Sequence, residues 1–198
     1  MSAIRSFIAI ELSSAIQQKL NETIRCMQGP RTSAVRWVPG HNIHLTLKFL
    51  GDVSPTNMDL LTKMLKALVS QQPAFSLTVS GLGAFPSAHR PRVLWVGVTA
   101  PAELFGLARL VEMETRRLGT LPENRPFSPH LTLGRVSQNA TPDQVRQIAE
   151  VLASQTVGEL GMTDVHEVTL FRSDLRPSGA EYSALLKIQL RKECQNQF

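Results

Sequence analysis

Two tetrapeptides in this 198-residue chain are identical, His44-Leu45-Thr46-Leu47 and His130-Leu131-Thr132-Leu133, and each holds one of only five histidines. In an extended strand successive side chains face opposite ways, so His44 and Thr46 share one face while Leu45, Leu47 and Phe49 take the other. The second copy divides in the same manner, His130 and Thr132 against Leu131 and Leu133. The leucines can then hold a core while imidazole and hydroxyl face a cleft. Imidazole titrates near neutral pH, with an unperturbed pKa of about 6.5, so one ring can accept a proton while its twin, charged, donates one. Such a pair suits a displacement that makes one bond and breaks another on opposite sides of a central atom, each proton transfer contributing ~10²- to 10⁴-fold in rate. The threonine hydroxyls can donate to the two non-bridging oxygens of a phosphate as negative charge builds there. The duplicated arrangement matches a phosphodiester.

A single His-x-Thr is ordinarily a polar strand face, or a core histidine satisfied by backbone carbonyls. Two copies at the same place in a repeated unit favour a site instead. Two histidines leave a tetrahedral metal short of ligands, and no nearby cysteine or HExxH-type helix supplies more, so the expected chemistry uses neither metal nor cofactor. His41, His89 and His166 have no echo and read as surface residues. Simple alternation sets Lys48 on the His44 face, where it adds charge to the groove or is merely solvated.

The elements that must position these residues can be read outward from them. Ile4 to Leu12 alternates as a half-buried strand. Ser14 with Gln17 reads as a capping box for a helix with the stripe Ile16, Leu20, Ile24 and Met27, ended by Gly29-Pro30. Val35 to Leu50 is extended, broken at Pro39-Gly40. Ser54-Pro55 caps a second helix (Met58, Leu61, Leu65, Leu68), and strands Phe75 to Leu82 and Val93 to Thr99 follow, joined by a loop from Phe85 to Arg92. The order then repeats. Pro101 opens a helix (Leu104, Leu107, Val111, Leu118) ending at Gly119, a strand runs Ser128 to Val136, and Thr141-Pro142 caps another helix (Val145, Ile148, Leu152). Thr163 to Arg172 and Tyr182 to Leu190 are two closing strands around a loop from Ser173 to Glu181. The expected fold is α+β: one bilobal, pseudo-symmetric domain over residues 1–198 with repeats of about 13–100 and 101–190. Antiparallel sheets with outer helices would surround a central groove.

Composition narrows the class. Apolar residues are 42% of the chain, ordinary for a globular protein, and no apolar run approaches the ~20 residues of a membrane-spanning helix. The N-terminus lacks the pattern of a secretory signal, so a cytoplasmic location is expected. Cys26 and Cys194 form no CxxC pair and read as free thiols. The net charge is +5, 15 of the 21 basic residues are arginine, and residues 25–102 carry eight basic against two acidic side chains. Arginine favours planar anions such as phosphate.

The paired HLTL strands lie in recognisable surroundings: Val35-Arg36-Trp37-Val38-Pro39 through Lys48-Phe49-Leu50-Gly51-Asp52, Phe85-Pro86-Ser87 with Arg90 to Trp95, Phe127-Ser128-Pro129, and Phe171-Arg172-Ser173 with Pro177 to Tyr182. Together they resemble the RNA 2′,3′-cyclic phosphodiesterases, also called 2′-5′ RNA ligases, of the two-histidine phosphoesterases. The resemblance runs from about Ile4 to Leu190. It implies a bilobal fold with both motifs lining a central groove, His44 as proton donor, His130 as proton acceptor, and Thr46 and Thr132 as phosphate ligands. Arg135 resembles a phosphate-contacting family arginine, although alternation sets it on the leucine face unless Gly134 bends or bulges the strand.

The implied function is hydrolysis of a terminal RNA 2′,3′-cyclic phosphodiester to a 2′-phosphomonoester. The implied partner is an RNA with such an end, tRNA fragments among them, met by a monomer without a membrane. Two alternatives remain at this stage. One is ligation through a 2′-5′ bond, the reverse reaction with a ribose hydroxyl in place of water. The other is a non-catalytic RNA-end-binding module using the basic segment, with Trp37 either a stacking platform or a core residue.

Overall fold

A computed structural model describes residues 2–176 and 179–192. Pro177, Ser178 and Cys194 lie outside the described residues. Nine strands and four helices follow in the order β1 (Ile4–Ile10), α1 (Ser14–Met27), β2 (Val35–Trp37), β3 (Leu45–Val53), α2 (Pro55–Val69), β4 (Phe75–Ser87) and β5 (Arg90–Thr99), then α3 (Ala102–Arg117), β6 (His130–Val136), α4 (Pro142–Ser154), β7 (Glu159–Val165), β8 (Glu167–Arg176) and β9 (Gly179–Gln189). The strands pair in the order β7-β4-β5-β6-β3-β1-β8-β9, with β2 added alongside β6, and every one of these pairings is antiparallel. The α+β expectation holds. No helix among the described residues is long and apolar enough to cross a membrane.

The helices form where apolar spacing and caps agree. Thr141 and Gln144 close a reciprocal capping box on α4, with bonds of 3.2 and 2.9 Å. Ser54 caps α2 through the Asn57 amide. The cap of α1 is Ser13 rather than Ser14, since the Ser13 hydroxyl accepts from the Ile16 amide. The stripes Ile16-Leu20-Ile24-Met27, Leu61-Leu65-Val69 and Leu104-Leu107-Val111 are buried in one cluster with Leu45, Leu47, Leu131 and Leu133, and Ile148-Leu152 of α4 is buried in a second with Val35, Ala84, Leu94 and Val136. The opposite face is left for the histidines.

Three extended segments differ from the sequence expectation. The loop expected from Phe85 to Arg92 is the tip of a long β4–β5 hairpin, paired to Ser87↔Arg90, and Pro86 lies opposite Pro91. β7 pairs with β4 only as far as Ser80 and β6 with β5 only as far as Val93, so this tip has free edges where missing proline N–H groups cost little. Of the loop expected from Ser173 to Glu181, Ser173 to Arg176 and Gly179 to Glu181 are likewise paired in the β8–β9 hairpin. The single strand from Thr163 to Arg172 is two strands that part at His166, β7 joining β4 and β8 joining β1.

These pairings also cross the halves. β4 follows α2 in the first half yet pairs with β5, beside β6; β8 follows α4 in the second half yet pairs with β1, beside β3. Each lobe is therefore built from both halves, which joins the two motifs to one core. β3 and β6 meet at a single register pair, Leu45↔Leu131.

Candidate active site

The Leu45↔Leu131 pair is the seam of the molecule, and both leucines are fully buried. One residue to either side, the antiparallel register turns His44 toward Thr132 and His130 toward Thr46, all four on the face away from the core. An ideal antiparallel ladder sets the two histidine backbones roughly 8 Å apart at such diagonal positions, room for a tetrahedral phosphate between the rings. All four side chains are half-buried.

Each motif strand carries the same irregularity. Opposite β3, Ile8 pairs with Lys48 and Ala9 with Thr46, so Leu47 is an extra residue; opposite β6, Leu94 pairs with Gly134 and Trp95 with Thr132, so Leu133 is extra. A bulge resets the alternation. Two consecutive side chains then point inward, and the fifth residue after each histidine turns to the groove. On β3 this corrects the placement of Lys48, which is 2% exposed on the core side. There its Nζ meets Glu112 Oε2 of α3 and the Leu121 carbonyl, both at 2.7 Å. The groove position passes to Phe49, 54% exposed. On β6 the same shift brings Arg135 out of the leucine face and onto the face of His130 and Thr132, where it is exposed. Gly134 permits it, because a Cβ there would lie 2.7 Å from Val35 Cγ1 and 3.1 Å from the Trp37 ring of the neighbouring strand β2. Trp37 itself packs against the core.

The two histidines sit in different surroundings. His130 Nδ1 lies 2.7 Å from the Ser128 carbonyl. A carbonyl only accepts, so Nδ1 carries the hydrogen, and in the neutral ring Nε2 is then the nitrogen with the lone pair. The Phe85 ring stands edge-on to it, centroids 4.9 Å apart.

His44 also uses a carbonyl two residues upstream, that of Asn42, but it is packed among rings. Phe7 stacks on it at 4.6 Å and Tyr182 meets it edge-on at 5.3 Å, with Phe171 at 6.0 Å. Desolvation by this cluster lowers the His44 pKa to about 4, against weaker support for the cation from the Asn42 carbonyl and from Glu11. Glu11 is itself engaged, 2.6 Å from Lys187 Nζ and 3.1 Å from the Thr169 hydroxyl. Burial alone would raise its carboxyl pKa, but those partners hold it below the usual range.

Sequence reading gave no role to this aromatic bed. Its members come from β1, β8 and β9, and the one available signal was that Phe49 occupies in the first copy the place that Arg135 occupies in the second. No group of three or more His, Cys, Asp or Glu stands together among the described residues.

Comparison with known proteins identifies the family. The family model for LigT like phosphoesterases matches twice, over residues 10–95 and 96–182. The RNA 2′,3′-cyclic phosphodiesterase of Methanothermobacter thermautotrophicus is 31% identical over 91% of this chain and 95% of its own. That of Archaeoglobus fulgidus is 33% identical over 92% and 98%. The crystal structure of E. coli LigT complexed with 3′-AMP superposes with a TM-score of 0.77 at 30% identity, covering 95% of this chain and 98% of that one.

Proposed function

The chain belongs to the LigT-like phosphoesterase family, and from that premise we propose that it hydrolyses the 2′,3′-cyclic phosphodiester at an RNA end to a 2′-phosphomonoester. The observation that carries this reading is the Leu45↔Leu131 register, which turns two identical His-x-Thr pairs toward one point. His44 protonates the departing 3′ oxygen while His130 Nε2 draws a proton from the water that attacks phosphorus on the far side. One P–O bond breaks, one forms, and the product is a 2′-phosphomonoester with a free 3′ hydroxyl. Thr46 and Thr132 donate to the non-bridging oxygens, and Arg135 adds its charge there.

In the empty groove His44 is neutral at pH 7. An anionic phosphodiester entering this desolvated site favours the imidazolium, so the donor form is assembled together with the substrate. Ligation through a 2′-5′ bond is the same path in reverse. The reading carries with it one bilobal unit over residues 1–198, acting alone in the cytoplasm on RNA ends such as those of tRNA fragments.

A short RNA ending in a 2′,3′-cyclic phosphate, incubated with the protein in excess chelator, should be opened. A phosphatase specific for 3′-phosphates should leave the new phosphate in place. Ready removal of that phosphate would reverse the donor and acceptor roles, and loss of turnover on chelation would point to a metal mechanism.

A further inference from the structure

The two hairpins that flank the motifs differ in charge. On β8–β9, Arg172 pairs with Asp174, Arg176 with Glu181, and Lys187 with Glu11 and Glu167. On the other side, Arg36 of β2 stands directly opposite Arg135 of β6, both exposed. Like charges at such a cross-strand position repel. Among the described residues no carboxylate pairs with either of them, nor with Arg90 or Arg92 at the β4–β5 tip.

Arg36 and Arg135 are paired where β2 joins β6, and Arg90 and Arg92 stand at the tip of the β4–β5 hairpin, beside α4. Arg36 borders a shallow cleft with Ser137, Asn139 and Gln144, and this cleft shares Ala140 with a larger one of about 750 Å³ that holds His89, Arg90, Arg92 and Arg146. Arg92 Nη1 donates to the Ser137 carbonyl at 3.1 Å, tying the hairpin tip to the turn between β6 and α4 so that the two clefts stay in register. The acidic residue lining the larger cleft, Glu150, is already engaged by Arg31 and Arg146. Thr132 pairs with Trp95, which pairs in turn with Gly83, and Arg90 pairs with Ser87, four residues along β4 from Gly83. Arg90 is thus about 13 Å along the strands from the level of Thr132, the reach of a few nucleotides.

We propose that Arg36, Arg90 and Arg92 form a phosphate track that holds the single-stranded RNA chain on the 5′ side of its cyclic end. The inference rests on the proposed hydrolysis for its substrate, but its binding test does not need turnover. Arginines without carboxylate partners suit a polyanion, and these stand at two places along its path, beside the second motif at Arg36 and Arg135 and at the hairpin tip at Arg90 and Arg92.

The test compares the unaltered protein with Arg90→Ala/Arg92→Ala and with Arg90→Glu. Anisotropy of a labelled ten-nucleotide RNA is measured over a salt series. The double variant should bind at least ~10-fold more weakly, and its plot of log affinity against log salt should be shallower by about 1.4, the amount expected for two lost phosphate contacts on a single strand. Arg90 has no carboxylate partner, so Arg90→Glu keeps the test informative if the double variant unfolds. In turnover, both variants should raise KM for a cyclic-ended ten-mer and leave a 2′,3′-cyclic mononucleotide within about twofold.

Unchanged RNA affinity and salt slope would overturn the track, as would equal losses on ten-mer and mononucleotide. Stronger competition by an acidic polypeptide than by unlabelled RNA would also overturn it. RNA binding that follows the arginines in a protein that hydrolyses neither substrate would uphold the track and overturn the hydrolysis.

Discussion

His44 and His130 share a tetrapeptide, a strand position, an upstream carbonyl and a bulge three residues on, yet one ring is packed against Phe7, Tyr182 and Phe171 while the other meets a single phenylalanine edge and an arginine-lined rim. The residue that the bulge turns outward is Phe49 in one lobe and Arg135 in the other. Duplication of the backbone thus places two like groups around one point, and the side chains that pack beside them make the groups unlike. On the proposed reading the dry lobe would withhold a proton from His44 until an anion arrives, and the basic lobe would supply charge that draws the anion in.

If the two lobes act in one displacement, the largest effect comes from removing either ring. His44→Ala and His130→Ala should each lose at least ~10²-fold in turnover of a cyclic-ended RNA, with unchanged circular dichroism. A folded variant of either with near-normal turnover would break the comparison at its base. Thr46→Val and Thr132→Val should cost about 10- to 10³-fold each, as expected for one hydrogen bond to charge that builds in the transition state. A loss confined to one threonine would mean that only one lobe holds the phosphate.

The dry character of the first lobe has its own signature. Unfolded, His44 takes up its proton near pH 6.5; folded, it waits until about 4. Between those values the unfolded chain binds more protons, so the His44 contribution to stability is complete above pH 6.5 and is lost as pH falls toward 4. The loss is on the order of 3 kcal/mol. Denaturant titrations across this window should show that slope, and His44→Gln should remove most of it. An equal slope in His44→Gln would assign the acid sensitivity to other groups.

Much of this was legible in the sequence because it rests on period and repetition. The stripes of α1 to α4 follow helical spacing, and the two HLTL copies announce their faces by strand alternation. Lys48 was misplaced by that same alternation, since a bulge adds one residue at Leu47 and nothing in the local letters marks it, whereas for Arg135 a bulge was the stated condition for reaching the groove. Gly134 was the one hint, and it acts through the approach of β2, a contact remote in sequence. Phe7, Phe171 and Tyr182 escaped for a similar reason: they gather only after β8 leaves its own half to pair with β1. The break at His166 was hidden because β7 and β8 keep an unbroken extended pattern while changing neighbours.

The central claim, that His44 and His130 act on one phosphorus in one transition state, is tested most directly by a double-mutant cycle on RNA 2′,3′-cyclic phosphate turnover. Groups that act as a unit are strongly non-additive. His44→Ala/His130→Ala should therefore be no more than a few-fold slower than the slower single variant. A double variant whose loss equals the product of the two single losses would show two independent contributions and would contradict the account.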